Sequence, residues 1–192
     1  MPHNLPEKST PVLYVFFGMI ATGKSTIAQA WAEYKQLHCF NSDRVRKELA
    51  GINPTNSRHE SVDSGIYKNV FSQKTYKALL DEAEIKLKQG ESIIIDASYQ
   101  YAHDRQDVTE LAKNLDSQVY FILCQCPEIE MKRRMDLREK DPVAVSDGRW
   151  EIYLKQKKRF EPPDELSASV LVILDTGASL EKLLEELDGK LP

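Results

Sequence analysis

An α/β fold, with a mostly parallel central sheet covered by helices on both faces, is the class this sequence predicts. Two observations carry it. Short apolar runs bounded by turn residues alternate with segments whose apolar residues recur every three or four positions, and strands alternating with helices build parallel sheets. The first apolar run also leads straight into a glycine-bearing turn, "GMIATGKST", that opens a helix. At 192 residues the expectation is one domain, 1–192, large enough for a real core.

Residues 1–10 are polar with two prolines and read as a loose lead-in. Val12 to Phe17 is unbroken apolar, the pattern of a strand buried on both faces. After Lys24, the residues Ile27, Ala30, Trp31 and Tyr34 mark one helix face. "HCF" at 38–40 is a short second strand, and Asp43 to Gly51 a short helix stopped by glycine. Residues 52–66 are rich in turn formers and read as a mobile loop, part of a substrate-side insert at 52–71. Ser72 to Gln89 is the clearest helix, with Ser72 as N-cap, Gly90 as stop and Tyr76, Leu79, Leu80, Ala83 and Leu87 on its apolar face.

"SIIIDAS" is the third strand, and a helix runs from there to about Leu115. "QVYFILC" is the fourth strand, and Pro127 opens the next helix, since proline suits a first helical position. Residues 139–147 break the helical pattern, and helix resumes from about Ser146 to Phe160, so that 127–160 forms a helix-loop-helix. "SVLVILD" is the last strand and "SLEKLLEEL" the last helix.

Composition narrows the function. The net charge of −4 argues against broad, sequence-independent binding to duplex nucleic acid, which wants a basic face. No apolar run approaches the roughly 18 residues of a membrane span, and no signal peptide is expected. Cys39, Cys124 and Cys126 cannot form a disulfide framework and fit reduced thiols of a cytoplasmic protein. "FILCQCP" lacks nearby metal-ligating partners, which favours packing over a metal site.

The chemistry starts at the first turn. Gly18, Gly23, Lys24 and Ser25 match G-x-x-x-x-G-K-S/T, the phosphate-binding P-loop. Glycines let the chain adopt angles closed to other residues and approach a ligand closely. Successive amides of Gly18 to Thr26, including those of Ala21, Thr22 and Gly23, then converge on an anion at a helix N-terminus. Lys24 reaches the outer phosphates of ATP and Ser25 can ligate Mg²⁺. The competing reading is a chance glycine turn, disfavoured by the strand before it and the helix after it.

Asp96 ends "IIID" at the sheet edge where open α/β sheets bind ligands. It fits a second Mg²⁺-holding group, against the alternative of a turn-capping acid. Asp43 comes after the second strand, placed to orient an acceptor hydroxyl and take its proton. Arg46, three residues on, lies on the same helix face and suits an anionic part of the substrate. Alone, the two would read as a first-turn acid and a solvated charge. Arg134 and Arg138, four apart, share one helix face. They suit a lid that neutralises charge on a transferred phosphoryl group; an exposed basic surface including Lys132 and Arg133 is the other reading.

These residues carry a resemblance. The chain resembles the P-loop kinases grouped around polynucleotide 5′-hydroxyl kinases and zeta-toxin-like kinases. It is most similar to the ATP-binding domain that in many bacteria follows an aminoglycoside-phosphotransferase-like domain. The matching pieces are "GMIATGKST", "NSDRVRKELAG", "SGIY", "KTYKALLDEAEIKLKQG", "IIIDASYQYAHDR" and the "CP…RRMDLR…VSD" segment, from about residue 12 to 160. The resemblance implies a parallel sheet with the P-loop strand in its middle and an Arg-bearing lid. It implies that Asp43 is a general base, that Arg46 meets a substrate phosphate, and that Arg134 and Arg138 contact nucleotide and transferred phosphoryl group. Asp96 matches the strand-end acid, and Arg105 matches a frequent arginine after it, assigned to the substrate.

Within these 192 residues no room is expected for the phosphatase, ligase or aminoglycoside-phosphotransferase-like domains often attached in that family. The 52–71 insert carries no strong basic or aromatic track; Tyr67, Phe71 and Tyr76 are the candidates for base stacking. The expected function is therefore ATP- and Mg²⁺-dependent phosphoryl transfer to a hydroxyl of a small molecule: a nucleoside, sugar or nucleotide-like compound. A polynucleotide 5′-hydroxyl is the second acceptor, and a nucleotide-hydrolysing regulatory switch the alternative of another class.

Overall fold

The computed structural model describes residues 10–52, 69–139 and 150–192, with backbone alone at 69, 70, 138 and 139. Most of the expected loop at 52–66 and the break at 139–147 lie outside them. Five strands form one sheet: β1 Val12–Phe17, β2 His38–Asn41, β3 Ile93–Asp96, β4 Gln118–Gln125 and β5 Leu171–Asp175. All pairings are parallel, in the order β2-β3-β1-β4-β5. The described helices are α1 Lys24–Lys35, α2 Ser42–Leu49, α3 Asn69–Lys88, α4 Ala102–Asn114, α5 Glu128–Glu139, α6 Trp150–Arg159 and α7 Leu180–Lys190.

The central strand explains the layering. Every residue of β1 is buried. Val12, Tyr14 and Phe16 face Ile27, Ala28 and Trp31 of α1 and Leu183 and Leu187 of α7. Leu13, Val15 and Phe17 face Leu79, Ala83 and Leu87 of α3 and Val108 of α4. Alternation along one strand thus feeds two cores, and the unbroken apolar run is the consequence. The register pairs Phe16 with Asp96, Asn41 with Asp96, and Phe17 with Leu123, so the turns leaving β1, β2, β3 and β4 open on one sheet edge.

Three local expectations shift. Helix α3 begins at Asn69, and Ser72 lies inside it; nothing between Asn69 and Ser72 breaks a helix, so its hydroxyl has no terminus to cap. Helix α2 begins at Ser42 because Asn41 caps it, its side chain accepting from the amides of Asp43 and Arg44. Tyr34 is 53% exposed. The buried stripe of α1 runs through Ile27, Ala28, Trp31 and Ala32, whose small alanines let the helix sit close to the sheet, and Tyr34 stacks on the margin of Trp31.

A third, smaller cluster surrounds the glycine turn. Ala21 in the turn after β1 is buried with Met131 and Met135 of α5 and Tyr153 of α6, with Met19, Ile20, Cys126 and Trp150 packed around them. The tip of the turn is therefore wrapped by the two helices that flank residues 140–149.

Candidate active site

The turn between β1 and α1 is held in a shape few sequences allow. Gly18 has φ 135°, its amide donates to Ser98 O at 3.3 Å, and a Cβ there would overlap the Cys124 carbonyl oxygen. Gly23 has φ 86° and precedes α1 with no side-chain cap, which leaves the leading amides of the helix for an anion. Between them Ala21 takes φ 61°. For a residue with a Cβ this costs about 1–2 kcal/mol, and burial against the two methionines offsets it. The changes of handedness at Ala21 and Gly23 are the backbone pattern that turns amides toward an anion, while the amides of Gly18 and Ile20 are taken by Ser98 O and Gln156 Oε1.

Two flanks hold the loop. On one, Arg134 of α5 donates to Ala21 O at 3.4 Å, to Thr176 Oγ1 at 3.2 Å and to Thr176 O at 2.7 Å. The Thr176 hydroxyl, just past β5, donates in turn to Thr22 O and reaches Gln125 O. Glu130 fixes the guanidinium at 2.8 Å, and its hydrogen bonds from Arg133 and Arg134 draw its carboxyl down to about 2. On the other flank, the Ile20 amide donates to Gln156 Oε1 of α6 at 2.8 Å. The chain beyond α6 is fastened below β3, where the Glu161 amide donates to Gln100 O at 2.9 Å and the Ala102 amide to Glu161 Oε2 at 2.6 Å.

The acids meet at the open sheet edge. Asp96, ending β3, is 2% exposed. Asn41 Nδ2 donates to its Oδ2 at 2.5 Å, while Oδ1 is buried without a hydrogen-bond partner. Burial pushes the carboxyl above its ordinary range, against the pull of Lys24, Ser25 and Asn41. A buried anionic oxygen without a donor, beside a lysine and a serine hydroxyl, fits a hard cation that takes oxygen ligands. Asp43 on the first turn of α2 carries an ion pair, Arg46 Nη1 to its Oδ1 at 2.9 Å, and its side chain stays 42% exposed.

The sequence-predicted residues fall into three groups: those around the loop, those turned into the fold, and those outside the described residues. Lys24 and Gly23 are half-buried on the loop, while Ser25 and Thr26 are exposed at the start of α1. Thr22 is turned inward; its hydroxyl donates to Met19 O at 2.8 Å and shapes the loop itself. Arg134 touches the loop at Ala21 O, Asp96 lies near Lys24, Ser25 and Asp43, and Arg46 pairs with Asp43. Side chains of Arg138 and Tyr67 lie outside the described residues. Lys132 and Arg133 are exposed. Arg105 requires a correction. It is fully buried and donates to Glu165, to Tyr99 O at 2.8 Å and to Pro162 O at 3.3 Å, so its donors secure the 160–166 segment instead of facing a substrate. Tyr76 is also unsuited to base stacking, since its ring lies 5.0 Å from that of Tyr99 at 9° and its hydroxyl is 2.9 Å from Ser98 Oγ.

Sequence reasoning missed Asn41, Thr176 and Gln156. Asn41 had a signal, since an asparagine at a strand–helix junction is an N-cap candidate. Thr176 and Gln156 act across 154 and 136 positions, and no local pattern marks them.

A parallel sheet in this strand order, with the Gly18–Ser25 loop between its central strand and a helix, defines a P-loop nucleotide-binding fold. The model of the AAA-domain family matches residues 13–163, and the chain belongs to that family. Uncharacterized protein Rv2004c of Mycobacterium tuberculosis is 26% identical over 132 residues, 69% of this chain and 26% of that protein, so the chain spans about a quarter of that relative's length. Three solved structures share the fold. Kti12 of Chaetomium thermophilum in complex with ADP-AlF3 has a TM-score of 0.68 at 16% identity, covering 95% of this chain and 100% of that one. The APS kinase CysC of Mycobacterium tuberculosis in complex with AMPPNP and APS has 0.65 at 15%, covering 94% and 96%. A sugar kinase from Janibacter sp. HTCC2649 has 0.62 at 21%, covering 93% of each chain. The architecture is that of the P-loop kinases.

Proposed function

We propose that the chain is an ATP- and Mg²⁺-dependent phosphotransferase that moves the γ-phosphoryl group of ATP to a hydroxyl of a small molecule. One observation carries the reading: Asn41 fastens Asp96 at the end of β3 and caps the helix that bears Asp43, so the two acids stand together at the sheet edge on which the phosphate loop opens. The loop amides and Lys24 hold the phosphates. Ser25 and Asp96 would hold Mg²⁺, which when bound neutralises charge on the outer phosphates.

Asp43 then orients the acceptor hydroxyl and takes its proton, its position set by Arg46 and by the Asn41 cap. Proton loss to a fixed carboxylate and in-line approach are what this chemistry asks of a protein. Arg46, 8% exposed, adds positive charge on the acceptor side, and Arg134 buttresses the loop. Residues 127–160 would form the lid, with Arg138 contributing to it. A small acceptor is favoured because Tyr76 already stacks on Tyr99 and because the sugar kinase and the APS kinase are similar folds. A polynucleotide end is the second choice.

The test is a screen of metabolite pools and 5′-hydroxyl oligonucleotides with γ-labelled ATP, run beside two variants. Label should reach a small molecule; Lys24→Ala and Asp43→Asn should both abolish transfer, and only the first should weaken ATP binding, by about tenfold or more. Full transfer by Asp43→Asn removes the assigned base. ATP hydrolysis without any phosphorylated product would favour a regulatory switch.

A further inference from the structure

Gln156 does something the loop motif does not require. Helix α6 delivers its carboxamide oxygen to the amide of Ile20, the third residue of the phosphate loop, at 2.8 Å. The contact is supported from below. Tyr153, one turn earlier, is 1% exposed within the cluster around Ala21, and its hydroxyl donates to Glu128 Oε2 at 2.7 Å. Past the helix, Glu161 locks the next segment to the β3–α4 connection. Gln156 therefore stands on a braced helix, and its amide plane is oriented by a backbone donor.

The two flanks of the loop are chemically distinct. Arg134 and Thr176 approach Ala21, Thr22 and Gly23 from the β5 side. Gln156 approaches Ile20 from the segment tied to Gln100 and Ala102, directly past β3. The acids Asp96 and Asp43 lie on that β3–β2 side. In the phosphotransferase reading, on which this inference rests, the terminal phosphate must point toward Asp43, because the acceptor hydroxyl meets it there. It is thus the Gln156 flank that borders the terminal phosphate. A carboxamide whose oxygen is held by one amide directs its nitrogen, with two N–H donors, along the other edge of the same plane. Hydrogen bonds from such donors to a charged oxygen are stronger than neutral ones.

We propose that Gln156, anchored by the Ile20 amide, donates from its carboxamide nitrogen to the terminal phosphate of a bound nucleoside triphosphate, and so makes the site distinguish triphosphate from diphosphate. The step involves no bond making; it is a recognition contact added to those of the loop and Lys24.

The experiment compares titrations of fluorescent mant-ATP and mant-ADP, with Mg²⁺, on the full chain as wild type, Gln156→Ala and Gln156→Glu, with thermal melts confirming that each is folded. Glutamate keeps an oxygen for Ile20 but loses both donors and adds negative charge. Gln156→Ala should weaken mant-ATP about tenfold and mant-ADP less than about twofold. Gln156→Glu should weaken mant-ATP at least as much. If Gln156→Glu restores wild-type mant-ATP binding, the residue is only a strut on Ile20 and the proposal fails. Equal losses of both nucleotides in the variants overturn it as well. A wild type that binds neither nucleotide sinks this inference and the phosphotransferase reading together. Selective loss of mant-ATP with no acceptor ever labelled would uphold the contact and sink only the transferase.

Discussion

Asn41 and Asp96 are joined at 2.5 Å, amide nitrogen to carboxylate oxygen, across the ends of β2 and β3. The other end of the same side chain caps α2 and so sets where Asp43 stands. One neutral residue thereby positions two acids, one ending β3 and one opening α2, and it holds them without adding charge.

Replacing Asn41 should act on both. Asn41→Ala removes the cap, worth about 1 kcal/mol of stability, and removes a donor that holds the Asp96 carboxyl down. Burial already raises the Asp96 carboxyl, so losing a donor raises it further, and the proton returns at a higher pH. Mg²⁺-dependent nucleotide binding should therefore fade at higher pH in the variant than in the wild type when both are acidified. Titrating mant-ATP against pH checks it; coincident pH profiles would show that the contact does not tune Asp96.

Arg105 is expected to matter for stability and to leave nucleotide recognition intact. Its guanidinium is wholly buried against Glu165, Tyr99 O and Pro162 O. Glu165 keeps access to solvent, so removing Arg105 costs mainly the buried packing and the donors to the Tyr99 and Pro162 carbonyls, about 1–3 kcal/mol. Arg105→Ala should lower the urea midpoint accordingly, whereas ATP affinity measured well below that midpoint stays within about twofold of wild type. A variant of normal stability that fails to bind or transfer would return Arg105 to the substrate.

Asp104, in the first turn of α4, gives a pH signature of its own. Burial pushes its carboxyl from 3.8 to about 6, with His103 pulling against the rise and Asp107 adding to it. A folded-state value above the unfolded one means that ionisation costs stability. The cost is absent below the unfolded value and complete above about 6. Asp104→Asn should thus melt higher than wild type at about pH 8 and no higher at about pH 4. Thermal melts at the two pH values check it, and a difference independent of pH would show that something other than ionisation sets the effect.

The layering was legible in the sequence because it rests on local pattern. The unbroken run of β1 has two faces to bury, and the stripes of α1 and α3 have one each. The phosphate loop was legible because glycine at 18 and 23 answers a backbone demand that no other residue meets. Asp43, Arg46 and Asp96 come to the open sheet edge because strand ends point there. What escaped were contacts between distant segments. Thr176 on Thr22 and Gln156 on Ile20 depend on where whole strands and helices come to rest, and Arg105 was misjudged for the same reason. An arginine after a strand-end acid looks the same in sequence whether it faces a ligand or a glutamate sixty residues downstream.

The tie between Thr22 and Thr176 has a consequence for how the protein comes off the ribosome. The residues that spell the motif are made well before two of their supports, the Cys124 carbonyl against Gly18 and the hydroxyl of Thr176 on Thr22, which are translated more than a hundred residues later. A nascent chain that has not yet emitted β5 owns the motif and lacks its frame. The loop can therefore take its final shape only after β4 and the residue past β5 have left the ribosome.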